Sequence, residues 1–135
     1  MKELFKRFSE IEKEMAAERG EFTLLGLFQR DTTLFDRWDV VVSADWLGED
    51  EYEAMKYIIP EFQKRLTKEQ WLMVSGVQVL KPNEAFVEEM LEEVREGNGN
   101  FKVSNFDFNG MTLTRGIIIA PKQAVKREAA AQAGI

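Results

Sequence analysis

Apolar residues recur at three-and-four spacing between Lys2 and Arg19, as Leu4, Phe8, Ile11 and Met15 with Phe5 beside them, while Lys and Glu fill the opposite side. That period marks one face of an α-helix, and Gly20 stops it. From Phe22 to Gln29 the pattern changes to a short run with hydrophobic side chains at both parities, the signature of a strand covered on both faces. A second such run spans Trp38 to Ala44. The polar stretch Arg30 to Arg37 between them reads as a hairpin loop or one abbreviated helical turn. Helical spacing returns at Tyr52, Met55, Ile59, Phe62 and Leu66. Within it, Pro60 predicts a kink or a stop and restart, because proline lacks the amide donor and clashes with the preceding turn. Thr67 and Gln70 have the spacing of a capping box that opens a short helix through Met73. Val74 to Leu80 reads as a third strand. Asn83 is placed to cap the next helix, whose stripe is Phe86, Val87, Met90, Leu91 and Val94 and which ends at Gly97 and Gly99.

The dipeptide Asn109-Gly110 predicts a C-terminal β-hairpin with a type I′ turn, where both central residues need positive φ. Its register would set Phe108 against Met111, Asp107 against Thr112, Phe106 against Leu113 and Asn105 against Thr114, so that apolar meets apolar and polar meets polar. Ile117, Ile118 and Ile119 would carry the second arm into the sheet until Pro121 ends pairing. The order of elements predicts an α+β fold, a five-stranded mixed β-sheet with helices packed against it. Residues 1–121 form a single domain in this reading, followed by an alanine-rich tail at 122–135 that should fray.

The 135 residues are 44% apolar and 11% aromatic, enough hydrophobic material for one core and far from the composition of a disordered chain. The formal charge of -6 opposes a phosphate-binding face, so nucleic acid is not an expected partner. Apolar runs fall far short of the roughly 20 residues a membrane span needs, and no cationic leader precedes an apolar signal core. A cytoplasmic protein is expected. No histidine and no cysteine occur anywhere in the chain. Their absence removes imidazole switches, histidine-activated nucleophiles, thiolate chemistry and ordinary zinc sites.

The most suggestive stretch is Leu24-Leu25-Gly26-Leu27-Phe28-Gln29-Arg30-Asp31 followed by Arg37-Trp38-Asp39-Val40-Val41-Val42-Ser43. A strand near glycine, a short polar connection and an Asp leading an apolar strand resemble the core of the nucleotidyltransferase fold, in which Gly-Ser precedes Asp-x-Asp. Here Leu27 stands where that family has Ser, and Arg37 where it has its first metal-binding Asp. The resemblance implies a nucleotide-binding region around Asp31, Asp36, Arg37 and Asp39. Two carboxylates share a magnesium ion only from positions close together on one face. Asp45, about 20 Å along the strand from Asp39 at ~3.3 Å per residue, cannot complete such a pair. Asp36 or Asp31 could approach Asp39 from the loop; otherwise Asp39 pairs with Arg37 or Arg30 or accepts loop amides. No metal ligand, catalytic residue or cofactor is assigned.

Glu84, Glu88, Glu89, Glu92, Glu93 and Glu96 share one helix with Arg95 as its only cation. Glu88 and Glu92 are one turn apart, where like charges mildly repel, so this face is either solvated or turned toward a basic partner. Strand alternation would put Trp46 with Val40, Val42 and Ala44, as a core or rim residue or part of a contact surface. The chain as a whole is similar to short bacterial proteins of unknown function. The leading expectation is a non-catalytic binding or protein-interaction module, with a homodimer through a sheet edge or aromatic surface as one form of it. The alternative is a reduced nucleotidyltransferase-like, nucleotide-binding domain, and a hydrolase built on glutamate pairs comes third.

Overall fold

A computed structural model describes residues 2–30, 37–95, 100–101, 106–108 and 111–121. Helix α1 runs from Lys2 to Arg19 and is followed by antiparallel strands β1 (Leu24–Arg30) and β2 (Trp38–Ser43). A 3₁₀ turn at Asp45–Leu47 leads into α2 (Glu51–Arg65) and the short α3 (Lys68–Leu72). Strand β3 (Val74–Val79) then runs parallel to β2, and α4 (Ala85–Arg95) follows it. The long strand β6 (Met111–Ala120) pairs antiparallel with β1, which gives the order β3-β2-β1-β6 in a mixed open sheet.

The remaining edge of β6 differs from the single fifth strand that the pattern predicts. Two short strands lie there, β4 (Asn100–Phe101) and β5 (Phe106–Phe108), with Phe101 opposite Gly116 and Phe106 opposite Leu113. Four residues of chain separate Phe101 from Phe106 where β6 has only two between Leu113 and Gly116. One continuous register is therefore impossible, and pairing is split. In β5, Asp107 faces Thr112 and Phe108 faces Met111. The Asn109-Gly110 turn, the expected pairing of Asn105 with Thr114, the tail at 122–135 and the Arg30 to Arg37 connection, apart from its two ends, lie outside the described residues.

Both faces of the sheet are covered. On one, Leu4, Phe8, Ile11 and Met15 of α1 and Ala54, Ile58 and Phe62 of α2 pack on Leu25, Leu27, Val40, Val42, Ile117 and Ile119. Phe8 meets Phe62 edge to face at 5.4 Å, which joins the two helices. On the other, Phe86, Val87, Met90 and Val94 of α4 pack on Leu24, Phe28, Val41 and Ile118. Every residue of β2 is buried, as a strand with apolar side chains at both parities requires. At ~25 cal/mol per Å² of apolar area removed from water, each fully buried Leu, Ile or Phe in these layers stabilises the fold by about 2 kcal/mol before entropy.

Local chemistry accounts for the helix ends. Thr67 and Gln70 form the capping box, with Gln70 N donating to Thr67 Oγ1 at 3.1 Å and Thr67 N to Gln70 Oε1 at 2.9 Å. Asp50 caps α2 by accepting from Glu53 N. Pro60 neither ends nor restarts α2, which continues through it to Arg65. Its exposed side carries the proline, while Ile58 and Phe62 on either side of it hold the helix to the core. At the far end of α2, Arg7 Nε donates to Arg65 O at 2.8 Å. Arg65 in turn lies between Glu61, Glu14 and Glu18, so the charge array ties α1 to α2. Among the described residues, no helix is long and apolar enough to cross a membrane.

Candidate functional site

Asp39 sits near the start of β2, between Phe28 of β1 and Gly76 of β3, and is only 5% exposed. Alternation turns it to the α4 side of the sheet with Val41 and Ser43. A Cβ on Gly76 would approach its Oδ1 to 3.4 Å, so the carboxylate lies over the glycine. Arg37 does not turn to Asp39. Its Nη2 donates to Val74 O at 3.3 Å, and Trp38 N donates to Met73 O at 2.7 Å, so this segment is tied to the start of β3. Asp31 and Asp36 lie outside the described residues. Among the described residues no three acidic side chains converge on a point that could hold a metal ion.

Gly26 has a packing role. Strand β1 continues four residues past it, and a Cβ there would meet the Phe28 ring at 2.8 and 3.2 Å and Ile117 O at 3.3 Å. The ring of Phe28 occupies the space a side chain would fill, and it stands edge to face with Phe86 at 5.3 Å.

Trp46 is placed by the 3₁₀ turn, because β2 ends at Ser43 and strand alternation does not reach it. The half-buried indole donates from Nε1 to Glu21 O at 3.1 Å and meets Phe22 at 5.3 Å. Arg19 lies 5.2 Å from the Trp46 ring centroid and 4.6 Å from that of Tyr57. These contacts fasten the end of α1, where Gly20 has φ +127 and a Cβ would come within 3.0 Å of Trp46 Cδ1. Glu88 and Glu92 are exposed on α4, and Glu92 pairs with Arg95 at 3.1 Å. Trp46 and the two glutamates lie in different layers and form no common site.

A cleft of about 330 Å³ opens at the opposite end of β2 from Asp39. Its lining comes from the chain leaving β2, with Ala44, Asp45, Gly48 and Glu49, and from the chain leaving β3, with Lys81, Pro82 and Asn83. Lys81 and Asn83 stand in a tight turn, in which Glu84 N donates to Lys81 O at 3.0 Å and Lys81 N donates to Glu84 Oε2 at 2.6 Å. Helix α4 starts only at Ala85, so Asn83 precedes the cap position expected for it and borders the cleft. Gly48 has φ +82 and open space where a side chain would be, which leaves its backbone bare to the cleft.

The sequence pattern shows strand, helix, strand and helix from Trp38 to Arg95. It does not reveal that β2 and β3 are adjacent and parallel, which is what brings Asp45 and Lys81 together. Comparison with protein-family models, with curated proteins and with solved structures finds no match to this chain.

Proposed function

We propose that this chain is a cytoplasmic, non-catalytic interaction module whose contact surface is the outer edge of β3, paired with the same edge of a second copy. One observation carries the reading. The six residues Val74-Ser75-Gly76-Val77-Gln78-Val79 pair with β2 on one side and with no strand on the other among the described residues. An open edge exposes a row of unpaired N–H and C=O groups, which proteins usually blunt with lysine, proline or a pronounced bulge. The six residues themselves include no charged residue and no proline, the Arg37 guanidinium bonds the carbonyl of Val74 at their start, and the irregularity is confined to the register step beside Trp38 and Asp39. A two-fold axis would pair β3 with itself antiparallel and bring no like charges together. Leu72, 64% exposed just before β3, adds apolar surface beside the edge. The Asn109-Gly110 hairpin belongs to the same reading, as a turn closing β5 onto the other side of the sheet.

Sedimentation equilibrium over a range of concentrations tests this. A dimer is expected, and Gln78→Lys and Ser75→Lys should each shift the chain toward monomer while keeping its circular dichroism spectrum. A mass that stays monomeric at every concentration rejects the proposal. The nucleotide-binding alternative around Asp31, Asp36 and Asp39 is separated by thermal denaturation with magnesium and a nucleoside triphosphate. A rise in melting temperature that Asp39→Ala abolishes would put that reading first.

A further inference from the structure

Parallel strands β2 and β3 lie side by side, and the chain leaves their carboxyl ends in opposite directions. After β2 it passes to α2, whose Ala54, Ile58 and Phe62 pack with Val40 and Val42. After β3 it passes to α4, whose Phe86, Val87 and Met90 pack with Val41 on the opposite face. Diverging connections at the ends of adjacent parallel strands leave a crevice, and in open sheets ligands bind in such crevices. The cleft bordered by Asp45, Gly48, Glu49, Lys81 and Asn83 occupies that point.

Its chemistry is divided between the two chain segments. The β2 exit supplies the carboxylates of Asp45 and Glu49, and the β3 exit supplies the ammonium of Lys81 and the amide of Asn83. Among the described residues, Lys81, Asp45 and Glu49 enter no salt bridge. A simple anion would meet Lys81 but face two carboxylates. A simple cation would meet the carboxylates but face Lys81. A molecule with both charges satisfies both sides, and about 330 Å³ lies at the lower end of small-ligand pockets, which suits a compact one.

We infer that this cleft binds a small zwitterion of the α-amino acid class, its carboxylate toward Lys81 and Asn83 and its ammonium toward Asp45 and Glu49. Gly48, bare of side chain, leaves room beside the ligand's α-carbon.

The test is thermal denaturation and titration calorimetry of the full chain with the free α-amino acids, beginning with glycine, and with acetate and ethylammonium as single-charge controls. A saturable rise in melting temperature is expected with at least one amino acid and with neither control. Lys81→Met and Asp45→Asn should each weaken that binding at least ~10-fold, the loss of one charge-assisted hydrogen bond of about 1.5 kcal/mol or more. Both side chains are exposed, so the unliganded melting temperatures of the variants should match the parent. No shift with any amino acid, an equal shift with acetate or ethylammonium, or undiminished binding in both variants would overturn the assignment. The sheet-edge proposal is unaffected by any of these outcomes, because its readout is mass.

Discussion

Ser43 is completely buried on β2, yet among the described residues its Oγ has no hydrogen-bond partner. A buried hydroxyl without a partner forfeits its hydration and gains nothing in exchange, at a cost of about 1–3 kcal/mol. Ser43→Ala removes that cost while opening only a small void. Urea denaturation should show it unchanged or more stable by about 1 kcal/mol, and a clear loss of stability would mean that the hydroxyl is satisfied. Gly26 is the opposite case. The Phe28 ring that fills its empty side is itself fully buried against Phe86, so it cannot move aside cheaply. Gly26→Ala should therefore lose about 1–3 kcal/mol through overpacking, measured in the same way. The sequence draws attention to Gly26 as part of a nucleotidyltransferase-like pattern, whereas its surroundings account for it by the shape of one neighbour's side chain.

Among the elements, α2 shows how tertiary contacts overrule a local signal. Proline in a helix interior removes one hydrogen bond and clashes with the preceding turn, about 3 kcal/mol against alanine. The buried stripe of Ala54, Ile58 and Phe62 spans the proline and outweighs it, so the helix persists. Pro60→Ala restores the amide donor at an exposed position. It should raise stability by about 1–2 kcal/mol in urea, less than the full propensity difference because proline also restricts the unfolded chain. Elements with consistent local signals are readable directly. The three-and-four spacing defines α1 from Lys2 to Arg19, the Thr67 and Gln70 box is present as spaced, and the α4 stripe is buried at Phe86, Val87, Met90 and Val94. Trp46 packs half-buried against the same layer as Val40, Val42 and Ala44, the side the pattern assigns it, although the strand stops at Ser43 and a 3₁₀ turn carries the residue.

For the whole molecule, the decisive feature is that β3 lies outside β2 and parallel to it. Among the described residues this one placement leaves the outer edge of β3 without a pairing strand and creates the cleft where the β2 and β3 connections diverge. If the edge joins two copies, the dimer's stability depends on chain concentration, because association adds to the folded state alone. The melting temperature of the parent should rise with protein concentration, and that of Gln78→Lys should stay nearly flat. A parent curve as flat as the variant's would count against pairing through β3.

The residue pattern alone determined the helices, the doubly covered strands and the α+β class, because three-and-four periodicity, two-sided apolar runs, caps and glycine stops act over a few neighbouring residues. Strand order, the split pairing beside β6 and the lining of one cleft by Asp45 and Lys81 were decided only by tertiary structure. Each depends on residues distant in the chain burying surface together, and a local pattern fits parallel and antiparallel partners equally well.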